Sequence, residues 1–407
     1  MARNEERNMR PTPIAHLALS LLLSVSASRF ASAAELTYPI VDTMQDKCYD
    51  LSVNVIDCPA EGEALYGQNA QYPYLASSYQ DNGDKTVTDL NTKLLWQKTP
   101  DYSKYPFYEA DAYCASLDLG GRSDWRLPTL KELYSLVDSR GELLKPDEGG
   151  KPRPYLDTEA FDFEYPNPPY TGQYWSSTRY VKGPIINDEI EGAFGMNFAD
   201  GHIKGYPTGV SFIDGSELEN KGPGGDGKYV RCVAGTPNVY GVNDYVNNGD
   251  GTVTDKATAR MWQQADDGAA REWSSALAYC EGLDLAGHTD WRLPNTKELH
   301  SIVDYDKTEF PAINTEFFPQ SDDSSAFWTS TNFGDFKNHA VYIAFGKALS
   351  RAPDVAEYTD WHGAGAQRST FKTSKDSGLS DDGALCSENA CDYAPAANLV
   401  RCVRYVQ

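Results

Sequence analysis

Two short segments place side-chain oxygens at the alternating spacing that a hard cation favours. Residues 81–98 read DNGDKTVTDLNTKLLWQK, and residues 247–264 read NNGDGTVTDKATARMWQQ. Asp81, Asp84 and Asp89 in the first, and Asp250 and Asp255 in the second, are candidate calcium ligands, because calcium collects carboxylate and carbonyl oxygens. The spacing is not that of a helix–loop–helix calcium loop, and no bidentate Glu closes it. A tight turn braced by Asp and Asn side chains accounts for the same residues. A second set combines rings, hydroxyls, carboxamides and charge: Tyr174, Ser177, Arg179, Tyr180, Asn197, Asp200 and His202, then Ser330, Asn332, Phe333, Asn338 and His339. Such side chains suit contact with a glycan or a protein surface. Burial decides between two uses of them. Tyr174, Tyr180, Asn332 and Phe333 exposed would serve a ligand; buried between the halves of the chain, they would serve assembly.

Catalytic signatures are sparse. His202, His288, His300, His339 and His362 show no HExxH or paired-ligand spacing, and the chain has no GxSxG or P-loop. The expectation is a protein that is not an enzyme and has no cofactor beyond a possible calcium ion.

These residues sit in a duplicated framework. The two acidic segments agree at ten of eighteen positions with an offset of 166. AYCASLDLGGRSDWRLPTLKELYSLVD (112–138) then matches AYCEGLDLAGHTDWRLPNTKELHSIVD (278–304) at 18 of 27 positions with the same offset. Trp175-Ser176-Ser177-Thr178 corresponds to Trp328-Thr329-Ser330-Thr331, and Val230-Arg231-Cys232-Val233 to Val400-Arg401-Cys402-Val403. Units this long are duplicated domains rather than solenoid repeats. Equivalent cysteines should bond equivalently, giving Cys114–Cys232 and Cys280–Cys402; the remaining pairs are local, Cys48–Cys58 and Cys386–Cys391. Eight cysteines and no CxxC pair point to an oxidising compartment.

Each unit reads as mixed α and β. Asn82-Gly83 and Asn248-Gly249 are hairpin turns. A helix fits Tyr108 to Leu117, with Ala112, Tyr113 and Leu117 as its apolar positions. A second helix opens with a capping box, Thr129 with Glu132 and Asn295 with Glu298, and buries Leu130, Leu133, Leu136 and Val137. Short strands follow at 193–198 and 340–345. Trp125-Arg126 and Trp291-Arg292 are best explained by packing: a buried indole and a guanidinium paired with a nearby carboxylate.

The ordered set formed by the NGDxTVTD hairpin, the Trp-Gln strand, the YC helix, WRLP, the WSST segment and RCV occurs twice. It resembles the Lcl C-terminal domain family over 79–236 and 237–407. That family is named after a collagen-like adhesin whose C-terminal domain binds sulfated polysaccharides. WRLP followed by a helix is also similar to the RLPT segment of formylglycine-generating-enzyme-like domains, which have a C-type-lectin-like fold with a disulfide from first helix to last strand. The resemblance implies an α+β fold of two tandem C-type-lectin-like domains, each with two helices, short twisted strands and long loops. It implies an adhesin-like binding function through the variable loops. The sugar-site signatures of calcium-dependent lectins are absent, and oxidase chemistry would need a cysteine beyond the paired ones.

Charge and targeting complete the reading. With 36 Lys plus Arg against 59 Asp plus Glu, the chain carries a net charge of −23, which disfavours nucleic acid, anionic lipid and sulfated ligands. Arg3, Arg7 and Arg10, the apolar run 14–25 and Ala31-Ser32-Ala33 read as a signal peptide over 1–33. Residues 34–78 form an irregular Tyr-rich lead-in. The expectation is an exported protein, periplasmic, surface-held or secreted, with no transmembrane segment. Its partner would be a glycan or extracellular protein; a structural role in a surface assembly is the alternative.

Overall fold

The computed structural model describes Met1 and residues 36–143, 150–185, 189–222, 225, 227–322, 326–375, 379, 383–387 and 390–406. Apart from Met1, the expected signal peptide lies outside the described residues. In each repeat the Asn-Gly turn places its glycine at positive φ, 74° at Gly83 and 76° at Gly249, a conformation without steric penalty only for glycine. The first hairpin, Tyr79–Asp81 with Thr86–Asp89, continues into Leu95–Gln97, Val233–Ala234 and Trp125–Arg126 as a five-stranded sheet. The second repeat builds Tyr245–Asn247, Thr252–Asp255, Arg260–Gln263 and Val403–Tyr405 in the same order. A bridge from Arg292 to Val403 closes that sheet. Hairpin, WRLP and RCV therefore meet in both copies.

Each repeat supplies two helices: α1 (Phe107–Ala115) and α2 (Leu130–Ser135), then α3 (Trp273–Glu281) and α4 (Thr296–Ser301). The capping boxes form as the sequence predicts. Thr129 Oγ1 accepts from the Glu132 amide at 3.2 Å while Glu132 Oε2 accepts from the Thr129 amide at 2.8 Å. Asn295 and Glu298 repeat the exchange at 2.9 and 3.0 Å. Leu130, Leu133, Leu136 and Val137 are buried as expected. The face of α1 differs from expectation: Phe107, Ala110 and Cys114 are buried, whereas Ala112 faces solvent. The i, i+3, i+7 row that starts at Phe107 outweighs Ala112 because it carries the disulfide and a large ring. All four disulfides form with the expected partners, Cys48–Cys58, Cys114–Cys232, Cys280–Cys402 and Cys386–Cys391.

The centre of the molecule is a six-stranded antiparallel sheet. The first repeat contributes β1 (Gln173–Tyr180), β2 (Ile190–Asn197) and β3 (Ile203–Ser211). The second contributes β4 (Ala326–Asn332), β5 (His339–Ala344) and β6 (Gln367–Phe371). Their order, β4-β5-β6-β3-β2-β1, is palindromic, with β6 joined to β3 at Gln367 and Ile203. Beneath it α2 lies against α4. Lys131 Nζ donates to the Ser301 carbonyl at 2.7 Å, and Lys297 Nζ donates to the Ser135 carbonyl at 2.9 Å. Each lysine thus serves the last carbonyl of the other repeat's helix, where a cation is favoured. One hydrophobic core runs through Leu133, Phe194, Leu299, Tyr305 and Val341 from both repeats. Two satellite clusters flank it, one around Trp125, Trp175 and Cys114–Cys232, the other around Trp291, Trp328 and Cys280–Cys402.

Where the sequence suggests two tandem domains divided at 236/237, the described residues from 36 to 406 form one compact unit. The physical reason is the shared sheet and core: neither repeat closes its own β-sheet edge at β3 or β6. The α+β class holds, with strands predominating over four helices among the described residues.

Candidate functional site

The candidate ligand residues divide sharply by burial. Tyr174, Tyr180, Asn197, Ser330, Asn332, Phe333 and His339 are all buried, none more than 3% exposed. Tyr174 lies beside the Arg231 guanidinium, which itself donates to the Gln97 and Asp162 carbonyls at 2.8 and 2.7 Å. Tyr180 donates to Asp360, whose carboxyl burial pushes up in pKa. Asn197 Nδ2 donates to the Tyr170 carbonyl. Phe333 lies between Tyr155 and the half-buried His202, with ring centroids 6.3 and 4.8 Å away. His202 in turn is 3.3 Å from Asp200. His339 is enclosed by Phe336 and Phe371, and the Asn338 carbonyl accepts from the Lys372 amide. Tyr180 and Phe333 thus join the repeats to each other, whereas Tyr174, Asn197 and His339 pack within their own repeat. Of the aromatic contact surface foreseen in the sequence, the rings are interior.

The acidic hairpin residues serve their own turns. Asp81 pairs with Lys98 at 2.6 Å and accepts from the Gly83 amide. Asp84 and Asp250 each accept from a threonine amide and hydroxyl two residues on. Asp89 accepts from the Asn91 and Thr92 amides. Asp255 takes four donors, from Asn243, Asp244, Ala257 and Thr258. These are side-chain turns of the kind Asp favours. Among the described residues, no three His, Cys, Asp or Glu side chains gather as a metal-holding group.

The WRLP residues also brace the fold. Arg126 grips Glu132 through two bonds of 2.7 and 2.6 Å. Arg292 grips Glu298 in the same way, and Arg260 adds a third bond at 2.8 Å. Burial alone would raise the Glu298 pKa, yet the two guanidiniums hold it down at about 2.

Only Ser177 and Arg179 of the twelve candidate ligand residues are exposed, and both line one cleft of about 580 Å³. Its walls come from the edge strand β1 (Ser177, Thr178, Arg179), from the α2 start (Thr129, Lys131), from the link between repeats (Asn238, Tyr240, Asn243) and from Asp304, Tyr305 and Asn314. Arg179 pairs with Glu191 across β1 and β2. Lys131, lowered to about 8 by burial, donates to Gly241, Asn243 and Ser301 at the cleft floor. The cleft volume is that of a small-ligand or short-segment site, and its lining is rich in fixed polar groups. Lys131, Asn238, Tyr240 and Asn314 were not foreseen as site residues. The signal available in the sequence was the short link 235–244, which leaves one flank of the first repeat thinly covered.

Comparison with known proteins bears on this architecture. The family model of the Lcl C-terminal domain matches residues 85–233 and 251–362, more than half of the chain and both repeats. The chain belongs to the Lcl C-terminal domain family. No curated protein and no solved structure matches it. In this Lcl C-terminal domain protein the first match runs from the turn of the first hairpin at 85 to the end of RCV at 233. The second ends at His362, before the 384–393 hairpin that carries Cys386–Cys391. Four disulfides suit an extracellular or periplasmic setting, and no described helix is long and apolar enough to cross a membrane.

Proposed function

We propose that this chain is an exported, non-catalytic, adhesin-like binding protein that receives a glycan or protein surface in the cleft beside β1. The observation that carries the reading is the single place where exposed candidate residues, Ser177 and Arg179, meet a polar cavity. The fold reading that accompanies it is C-type-lectin-like, supported by the disulfide from first helix to last strand in each repeat. Binding is metal-independent, because the hairpin carboxylates are occupied by their own turns. All eight cysteines are bonded, so a formylglycine-generating-like oxidase would lack its thiols. A structural role in a surface assembly is the second reading, favoured by the burial of Tyr174, Tyr180, Asn332 and Phe333.

The test is a glycan array and an extracellular-protein array probed with the oxidised chain, with calcium and with EDTA, beside a Ser177→Trp variant that fills the cleft. Binding that persists in EDTA and disappears with Ser177→Trp supports the cleft. Binding indifferent to Ser177→Trp would place the ligand elsewhere, and loss in EDTA would return the acidic hairpins as calcium sites. Blank arrays in every arm would leave the assembly role.

A further inference from the structure

The β1 cleft has a counterpart in the second repeat, and there it is filled by the chain itself. The two edge strands correspond residue by residue. Ser177 and Ser330 each donate their amide to the proline carbonyl of WRLP, at 2.7 and 2.8 Å. Thr178 and Thr331 each accept from the first amide of the neighbouring helix, both at 3.0 Å. Arg179 faces Ala193 as Asn332 faces Ala340, so the two stand at the same register position on opposite edges of one sheet.

On the β4 edge the lead-in segment seals this position with carboxamides. Gln45 Nε2 donates to the Asn332 carbonyl at 2.7 Å, and the Asn332 amide donates to Gln45 Oε1 at 2.9 Å. The Thr331 hydroxyl donates to Asn69 Oδ1 at 2.8 Å. The same lead-in uses this device again internally, where Gln68 exchanges two bonds of 2.9 Å with the Tyr49 backbone. Neither the Gln45 nor the Asn69 contact depends on the Asn332 side chain: one is made to backbone, the other to a threonine common to both strands.

Among the described residues the β1 edge has no such plug, and chain length is the reason. The lead-in before the first repeat runs from 36 to 78 and carries the Cys48–Cys58 hairpin, whereas only 235–244 precede the second. That short link reaches Lys131 through Gly241 and Asn243 and then enters the next sheet. It leaves Ser177, Thr178 and Arg179 on an open cleft, with no acceptor for the Thr178 hydroxyl proton among the described residues.

We infer that the β1 cleft takes an extended polypeptide segment of a partner protein that presents an Asn or Gln side-chain carboxamide to the edge at Thr178–Arg179. The inference rests on the cleft reading above and names its ligand class. A primary carboxamide offers N–H and C=O on the same side and so pairs with both groups of one strand residue. The trans secondary amide of an N-acetyl sugar holds them on opposite sides and cannot. Strand-edge recognition of this kind draws affinity from main-chain groups and specificity from the side chains that reach them.

The experiment is a displayed random heptapeptide library panned on the full oxidised chain, with the Ser177→Trp chain as counter-selection and chitotriose as competitor. Near-ultraviolet circular dichroism establishes that Ser177→Trp remains folded, and Ser177→Phe provides a second blocked variant. The expected result is enrichment of Gln or Asn at one fixed position. Replacing that residue by Glu should weaken binding about tenfold, the size of one lost hydrogen-bonded pair, and both blocked variants should abolish it. Selected peptides indifferent to Gln-to-Glu exchange would overturn the inference, as would a library with no enrichment. Displacement by chitotriose, or by the chain itself at rising concentration, would assign the edge to a sugar or a second copy and overturn it equally. Peptides that bind the blocked variants undiminished would overturn the cleft reading itself.

Discussion

At the scale of single residues, polar and aromatic side chains near the WSST segments split into joiners and edges. Asn332 and Arg179 occupy the same register position, yet Asn332 is covered by Gln45 and Gln68 while Arg179 stays exposed. Gln45→Ala removes two bonds from the Asn332 backbone and should cost about 1–3 kcal/mol of stability. Ser177→Ala on the open edge should change it by less than about 0.5 kcal/mol. Urea unfolding of both variants makes the comparison, and equal costs would remove the distinction between sealed and open edges. The sequence made Ser177 and Arg179 legible as candidates because hydroxyl and guanidinium at that spacing suit contact. It could not separate them from Tyr174, Tyr180 or Phe333, since the same side chains serve an interface inside the molecule. What buries Phe333 is His202 and Tyr155 from the other repeat, a juxtaposition no local pattern encodes.

Elements carried a stronger signal. The capping boxes at Thr129 and Asn295, the hairpin glycines and the α2 apolar face all follow from local spacing, and each forms. Local spacing does not fix the α1 face, because more than one row of this nine-residue helix is apolar, and tertiary packing around Cys114 selects the Phe107–Ala110–Cys114 row. The Arg292–Glu298–Arg260 group at α4 gives a pH prediction. The Glu298 carboxyl, ordinarily near 4.5, is held at about 2 in the folded state. The unfolded chain therefore binds its proton first as the pH falls. Its stabilisation is complete above about 4.5 and is lost as the pH drops towards 2. Thermal melts between pH 2 and 6 should show a fall in Tm on acidification that is shallower in Glu298→Gln. At pH 7 that variant, which leaves two buried guanidiniums short of a carboxylate, should lose about 3–5 kcal/mol. Parallel pH profiles for the two proteins would contradict this role.

For the whole molecule, the duplication was plain in the sequence, while the joining of the two copies was not. Repeats of this length suggest separate domains; the β3–β6 pairing, the Lys131 and Lys297 cross-links and the common core instead make one unit. Calorimetry of the oxidised chain should accordingly show one cooperative transition. Replacing Cys280 and Cys402 by Ala opens a loop spanning 122 residues, and in the chain-entropy model this costs about 4–5 kcal/mol. It should lower that single transition without splitting it, whereas two resolved transitions would restore independent domains. The pseudo-symmetry also frames the functional claim, because equivalent edges exist at 177–179 and 330–332 and, among the described residues, the chain fills only the second. Hydrogen exchange on the full oxidised chain, with and without a ligand selected on it, reads both edges in one measurement. Slower exchange at 177–181 and in the link 238–245, with 330–333 unchanged, is the predicted result; protection confined to any other surface would contradict a binding edge at β1.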